Sequence, residues 1–225
     1  PHKPMTLVAH NGSGYDNYLI LQEVKKRRIA LPQTAIMIGQ KLMYMEYAGA
    51  RFIDSMRHVV GSLARLAKTF GLPQTKGFFP YTFYTQENRA YAGDVPDRCF
   101  FEPERMAPAR LAEFEAWHLD RQANHLMGDD YVLEEESVKY CRLDVELLAA
   151  AMEKYRDAGL EATRVDPLQR VTIASYAQDV YRCNFMPEKQ LPVLSRAEYD
   201  FVRQGFFGGR TDVRQVYREW TPAEV

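Results

Sequence analysis

Apolar residues fall along this chain in two spacings, compact runs and helical repeats, which separate strands from helices. Residues 6–10 form a short apolar run, which predicts a buried strand. A turn cluster, Asn11-Gly12-Ser13-Gly14, follows it. Asp16 then stands where it can cap a helix whose apolar positions are Tyr18, Leu19, Leu21 and Val24. Residues 35–38, 41–47 and 51–54 predict short strands joined by tight turns. Residues 59–70 predict a helix ended by Gly71 and Pro73. Residues 75–101 are rich in aromatics and broken by Gly and Pro, the pattern of a long ordered loop that packs against something. Pro108 opens a helix predicted to reach residue 124. Residues 134–157 predict a strong helix, with acids in its first turn and Gly159 beyond its end. Residues 169–184 and 195–204 predict two further helices, after which Gly208-Gly209 breaks the pattern. The mixture predicts an α/β fold, divided into residues 1–160 and a helical tail over 161–225.

Composition narrows the function classes. The chain has 225 residues, 46% of them hydrophobic, so it can bury a real core. It contains no apolar run long enough to span a membrane and no pattern of a secretory signal. Cys99, Cys141 and Cys183 lie far apart, with neither zinc-ligand spacing nor a disulfide framework. An intracellular protein of a reducing compartment is therefore expected, with virus, organelle and nucleus all open. The net charge of −1 lacks the positive excess of many nucleic-acid binders. Basic residues nevertheless cluster at 25–28, at Arg57, Arg65, Lys68 and Lys76, and at Arg203, Arg210, Arg214 and Arg218. Each cluster fits a solvated face, and each also fits phosphate binding, which needs only a local positive field. The start at Pro1, almost directly before a strand, and the stop just after a Trp-Thr-Pro turn signal are expected of a segment of a longer protein.

Candidate chemistry is concentrated in two places. The first is the strand end Ala9-His10-Asn11 with the turn that reaches Tyr15-Asp16. The second is Tyr140-Cys141-Arg142-Leu143-Asp144 within the long helix, where Tyr140 and Asp144 project from one face a turn apart. A carboxylate at a strand-to-helix turn can meet a carboxylate and a phenol on a helix face. Together they can hold divalent metals and place a water for attack on a phosphodiester. Oxygen donors suit Mg²⁺ or Mn²⁺. A plain helix cap and an ordinary helix face account for the same residues.

These residues carry a resemblance. Asn11-x-x-x-Tyr15-Asp16 resembles the second exonuclease motif of family B DNA polymerases, and Tyr140-x-x-x-Asp144 resembles the third. Between them, Ser62-Leu63-Ala64-Arg65-Leu66 resembles a Ser/Thr-Leu-x-x-hydrophobic motif, and Lys76-Gly77-Phe78-Phe79 a Lys-x-x-hydrophobic motif. Both mark the protein-primed branch of viruses, organelles, linear plasmids and mobile elements. Phe206-Phe207-Gly208-Gly209 resembles the Tyr-x-Gly-Gly motif between that branch's exonuclease and polymerase domains. The resemblance implies a ribonuclease-H-like 3′→5′ exonuclease domain over 1–160 and a connector toward the polymerase domain over 161–225. It implies proofreading hydrolysis of a primer 3′ end with two Mg²⁺ or Mn²⁺ ions. Asp16 and Asp144 would bind metal, and Tyr140 would orient the attacking water. Asn11, Tyr15, Ser62 and Leu63 would contact single-stranded DNA, and Lys76 would neutralise a phosphate near the scissile bond. Phe206, Gly208, Gly209 and Arg210 would approach DNA in the connector. The implied partners are DNA, the rest of a polymerase chain and the branch's priming protein, with no membrane.

The sequence also departs from the pattern. The family's first motif, Asp-x-Glu, does not precede Asn11 here, so two of four expected carboxylates are missing. The strand at residues 6–10 is then expected to show an open edge where the first-motif strand would pair. Phe206 stands where the family has Tyr. No polymerase metal motif is present, and Gly128-Asp129-Asp130 reads as a loop. Asp54, Ser55 and His58 read as structural. A non-catalytic module that binds single-stranded DNA or a partner remains the alternative. A free-standing exonuclease is disfavoured by Gly208-Gly209.

Overall fold

The computed structural model describes residues 5–29, 31–73, 77–190 and 192–206. These fall into two compact units that divide between Phe185 and Met186.

The first unit opens with β1 (Met5–Ala9), which is followed by helix α1 (Asp16–Lys26). Three strands come next: β2 (Thr34–Ile38), β3 (Lys41–Tyr47) and β4 (Ala50–Asp54). They join in one sheet of order β1-β4-β3-β2, in which β1 runs parallel to β4 and the other pairs are antiparallel. The β3–β4 hairpin turns through Ala48 and Gly49 with φ of 51° and 76°. Two consecutive positive φ values give the turn whose twist matches a right-twisted hairpin. Leu42 and Met45 of β3 are fully buried and pack with Ala50 and Phe52 of β4. Tyr18, Ile20 and Leu21 of α1 cover that face. Among the described residues β1 is an edge strand, with Met5 64% exposed, so the expected open edge is present.

Helix α2 (Leu63–Thr69) is shorter than the helix predicted over residues 59–70. Gly61, at φ +146°, breaks the chain before it, and the Ser62 side chain caps it by accepting from Arg65 N. The expected aromatic loop follows, interrupted among its described residues by β5 (Ala92–Gly93) and short helical turns. It packs Phe79, Val95 and Phe101 against Phe114 of α3 (Pro108–His125). Residues 128–130 form the turn region after α3, with Gly128 at φ +90°. Strand β6 (Tyr131–Val132) pairs with β5 and leads directly into α4 (Leu133–Thr163).

Gly159 does not end α4, contrary to the sequence reading. It lies inside the helix, where a Cβ would come within 2.9 Å of Pro167 and 3.1 Å of the Tyr176 hydroxyl. Glycine there lets the returning chain pack closely, and the helix ends instead at Arg164 in a left-handed conformation. The boundary predicted at 160/161 thus falls within a continuous helix. Helix α5 (Ile173–Asn184) begins later than predicted, because Pro167–Gln169 forms a separate turn and Thr172 with Ser175 makes a capping box. The second unit contains α6 (Arg196–Gln204), capped by Ser195 and Glu198.

Candidate active site

The site begins at the end of β1. Asn11 adopts a left-handed conformation, φ 63°, which Asn tolerates better than most residues. The chain then coils tightly: Gly14 N donates to Asn11 O, and Tyr15 N and Asn17 N both donate to Gly12 O. Gly12 has to be glycine, because a Cβ there would sit 2.8 Å from Ala9 Cβ. Asp16 does not cap α1. It is the first helical residue, Tyr15 holds the cap position, and no side chain caps the helix. An acid in the first turn still gains from the helix dipole.

The turn is held from the sheet. Asp54, 1% exposed at the end of β4, accepts from Asn11 N at 2.9 Å, Ser13 N at 3.1 Å and Ser13 Oγ at 2.5 Å. It also accepts from Met56 N at 3.0 Å. Leu42 N donates to Ser13 O, and Asn17 Nδ2 donates to Leu42 O, so β3 grips the turn as well. Ser55 Oγ pairs with His10 Nδ1 at 2.9 Å. The structural reading of Asp54 and Ser55 agrees with these bonds.

Opposite the turn, α4 presents Asp144. Asp16 and Asp144 line one open cavity of about 490 Å³, together with Val8, His10, Ser62 and Leu63. The fold therefore joins two parts of the sequence motif that are far apart along the chain. Tyr140, one turn earlier on α4, opens onto a neighbouring cavity of about 210 Å³ with Phe79, Tyr81, Arg105 and Arg110. Its ring stacks on Phe79 at 5.2 Å, and its hydroxyl lies 2.6 Å from that of Tyr81. Burial pushes the Tyr140 phenol up to about 12; the Tyr81 hydrogen bond opposes the rise and the nearby Asp144 carboxylate adds to it. Tyr140 is therefore a neutral hydrogen-bond donor near pH 7 and not a base.

The other predicted residues are placed unevenly. Tyr15 is 70% exposed on the turn, and Asn11 is half-buried beneath it. Ser62 is the exposed N-cap of α2, whereas Leu63 is buried against Ala67 and Leu147. A packing role accounts for Leu63 without any ligand. Phe206 is 75% exposed in the second unit. Lys76, Gly208, Gly209 and Arg210 lie outside the described residues. Sequence reasoning placed His10 in the first candidate segment without giving it a role, and missed Tyr81 as a neighbour of the site, because Tyr81 belongs to no spaced motif.

Carboxylate oxygens are suitable donors for Mg²⁺ or Mn²⁺, and Mg²⁺ is commonly held by one or two carboxylates together with water and substrate phosphate. Asp16 and Asp144 fit that donor set. Among the described residues no group of three or more His, Cys, Asp or Glu side chains is arranged to hold a metal. A two-ion arrangement thus requires further carboxylates. Nor is any described helix long and apolar enough to cross a membrane.

Comparison with known proteins places this chain in a family. The chain is 23% identical over 219 residues to a probable DNA polymerase of Podospora anserina, covering 97% of this chain and 17% of that protein. It is 25% identical over 160 residues to a probable DNA polymerase of Neurospora intermedia, covering 70% of this chain and 16% of that protein. It is 28% identical over 173 residues to the DNA polymerase of human adenovirus A serotype 12, covering 66% of this chain and 15% of that protein. The chain thus spans about a sixth of the length of these curated relatives. No solved structure matches it significantly. The family described as DNA polymerase type B, organellar and viral, matches residues 2–223, and the chain belongs to that family.

Proposed function

We propose that this chain forms part of the proofreading 3′→5′ exonuclease site of a type B DNA polymerase, with a ribonuclease-H-like fold in its first unit. Residues 161–225 lead toward the polymerase domain. The observation that carries this reading is the shared cavity, onto which Asp16 from the β1–α1 turn and Asp144 from α4 both open. In this reading Asp16 and Asp144 would hold a divalent cation, which would supply charge neutralisation at the phosphodiester and a more acidic bound water. Tyr140, kept protonated, donates a hydrogen bond that orients the attacking water. Asn11 and the exposed Tyr15 hold the frayed single strand, Tyr15 by stacking on a base, and Ser62 lines the cavity beside Asp16 and Asp144. Lys76 and Arg210 would neutralise phosphates.

The open edge of β1 supports the same reading. Val8, Val145 and Leu148 line both the Asp16–Asp144 cavity and a second cavity, of about 370 Å³, between β1 and α4. A strand added there would bring its own side chains beside the two carboxylates, where further metal ligands are needed. The alternative is a module that binds single-stranded DNA or a partner without hydrolysis; the incomplete ligand set favours it.

Asp144→Ala in the full-length polymerase separates the two. The exonuclease reading predicts loss of 3′ degradation by about 10³-fold, since a metal's charge stabilisation is worth several kcal/mol. Primer extension should persist. Undiminished 3′ degradation by this variant would rule the assignment out.

A further inference from the structure

We infer that Asp54 is a positioning residue for the nuclease site: its buried carboxylate shapes the turn that presents Asn11, Tyr15 and Asp16. The inference rests on the exonuclease reading above. Asp54 is not itself a metal ligand. Both of its oxygens are occupied, Oδ1 by Asn11 N and Met56 N, Oδ2 by Ser13 N and Ser13 Oγ. It is 1% exposed and does not line the cavity that Asp16 and Asp144 share.

Capping the turn at Ser55–Arg57 needs only one of these bonds, the one from Met56 N. The other three come from a segment more than forty residues earlier in the chain. Ser13 is 1% exposed, and its hydroxyl donates to Asp54 while accepting from Arg57 Nη2 at 3.4 Å. The left-handed Asn11 backbone turns its N–H inward onto the carboxylate. An anion that gathers successive N–H groups imposes their curvature on the chain. Here the curvature ends at Asp16, because Tyr15 N and Asn17 N close on Gly12 O between the two gripped residues and the helix.

Replacing the carboxylate with an amide tests this. In Asp54→Asn one oxygen becomes an NH₂ group, and in either orientation of the amide it faces at least one backbone N–H that can no longer pair with it. The turn must open to relieve this contact, and Asp16 moves with it. In the full-length polymerase, Asp54→Asn should lower kcat for degradation of a single-stranded oligonucleotide about 100-fold, the scale of an ångström-sized misplacement. The half-saturating Mg²⁺ concentration should rise about tenfold, as for other residues that orient metal ligands. KM for the oligonucleotide should change less than kcat. Ser13→Ala, which removes one of the four donors, should act in the same direction to a smaller extent.

Controls keep the two readings apart. If Asp144→Ala leaves 3′ degradation intact, the exonuclease reading fails and this inference falls with it. If Asp144→Ala abolishes degradation while Asp54→Asn keeps wild-type kcat and Mg²⁺ dependence, the positioning role alone is overturned. A drop in melting temperature with unchanged Mg²⁺ half-saturation would mark Asp54 as merely structural and also overturn it. Should Asp54→Asn fail to fold, Ser13→Ala decides, and unaltered kcat and Mg²⁺ dependence in that variant would reject the proposal.

Discussion

Gly12→Ala is the smallest change that should separate packing from catalysis in this site. The added methyl would lie 2.8 Å from Ala9 Cβ, whereas carbon atoms in contact settle at about 3.5–4.0 Å. The gap must therefore open by about 1 Å. Ala9 cannot easily give way, because β1 pairs with β4 in a register that sets Ala9 opposite Asp54. Gly12 has to move instead, and its carbonyl carries the amides of Tyr15 and Asn17, which flank Asp16. Overpacking of this kind costs about 1–3 kcal/mol. In the proposed reading, displacing the Asp16 carboxylate by about 1 Å would cost about 100-fold in rate. We expect Gly12→Ala in the full-length polymerase to reduce 3′ degradation by about that factor, and hydrogen exchange of the α1 amides to accelerate. The contact is specific enough to be reversed. The other atoms near the new Cβ, Asn17 Oδ1 and Ala9 Cα, stand at 3.5 and 3.7 Å, which is ordinary contact. Ala9→Gly alone should cost about 0.5–1 kcal/mol for a glycine in a strand. The double variant should then be less impaired than the sum of the two, by about 1 kcal/mol or more. Strict additivity, or a Gly12→Ala enzyme with undiminished exonuclease activity, would refute the reasoning.

Two further expectations concern the supporting structure. His58 is buried, with Nε2 3.0 Å from the Arg170 carbonyl and Nδ1 3.2 Å from the Tyr155 hydroxyl, so the neutral ring donates to the carbonyl and accepts from the phenol. Burial holds it below its ordinary value of 6.5, opposed by the Arg170 hydrogen bond and the Asp54 charge. The unfolded chain therefore takes up its proton first, and stability should fall as pH drops below about 6.5. His58→Gln should flatten that slope in a pH series of urea unfolding, and an unchanged slope would count against the assignment. Leu147, fully buried between α4 and Leu63 of α2, should cost about 2–5 kcal/mol when replaced by Ala. A loss below 1 kcal/mol in urea unfolding would mean that α2 does not depend on this contact.

Local patterning made most elements readable. The β3 strand and the long α3 and α4 helices have periodic apolar positions that one face of the core absorbs; the predicted bounds of β3 and α3 match those observed to within a residue, whereas α4 runs on to Thr163, past its predicted end at 157. The failures have physical causes that local patterns do not contain. Gly159 reads as a helix stop because glycine favours helix ends, yet it serves a close approach by Pro167, which only the folded chain reveals. The α2 helix starts late because Gly61 takes a positive φ that no apolar count announces. Asp16 and Asp144 were legible as a pair only through motif spacing, and the cavity they share was not. Asp54 was read as structural, and its bonds agree. What the sequence withheld was the partner, since Asn11 and Ser13 precede Asp54 by 43 and 41 residues.

The two carboxylates are held in place by different physics. Asp144 stands on α4, one turn before the fully buried Leu147, and a helix anchored by apolar packing presents its side chains on a stiff frame. Its position should withstand changes of charge and salt and respond to lost volume. Asp16 is exposed at the start of α1; Tyr18, Ile20 and Leu21 anchor that helix on the sheet, but the turn before Asp16 is held by polar contacts. Hydrogen bonds to one buried carboxylate and to the β3 backbone hold that turn. Such a network is strong when every donor is satisfied and fails when one partner is lost. Substitutions that thin the α2–α4 contact should thus lower stability before they alter metal dependence, and substitutions of Asp54 or Ser13 should do the reverse. In the proposed nuclease reading, the placing of a cation between the two elements would gain from this division, because either wall can adjust without carrying the other with it.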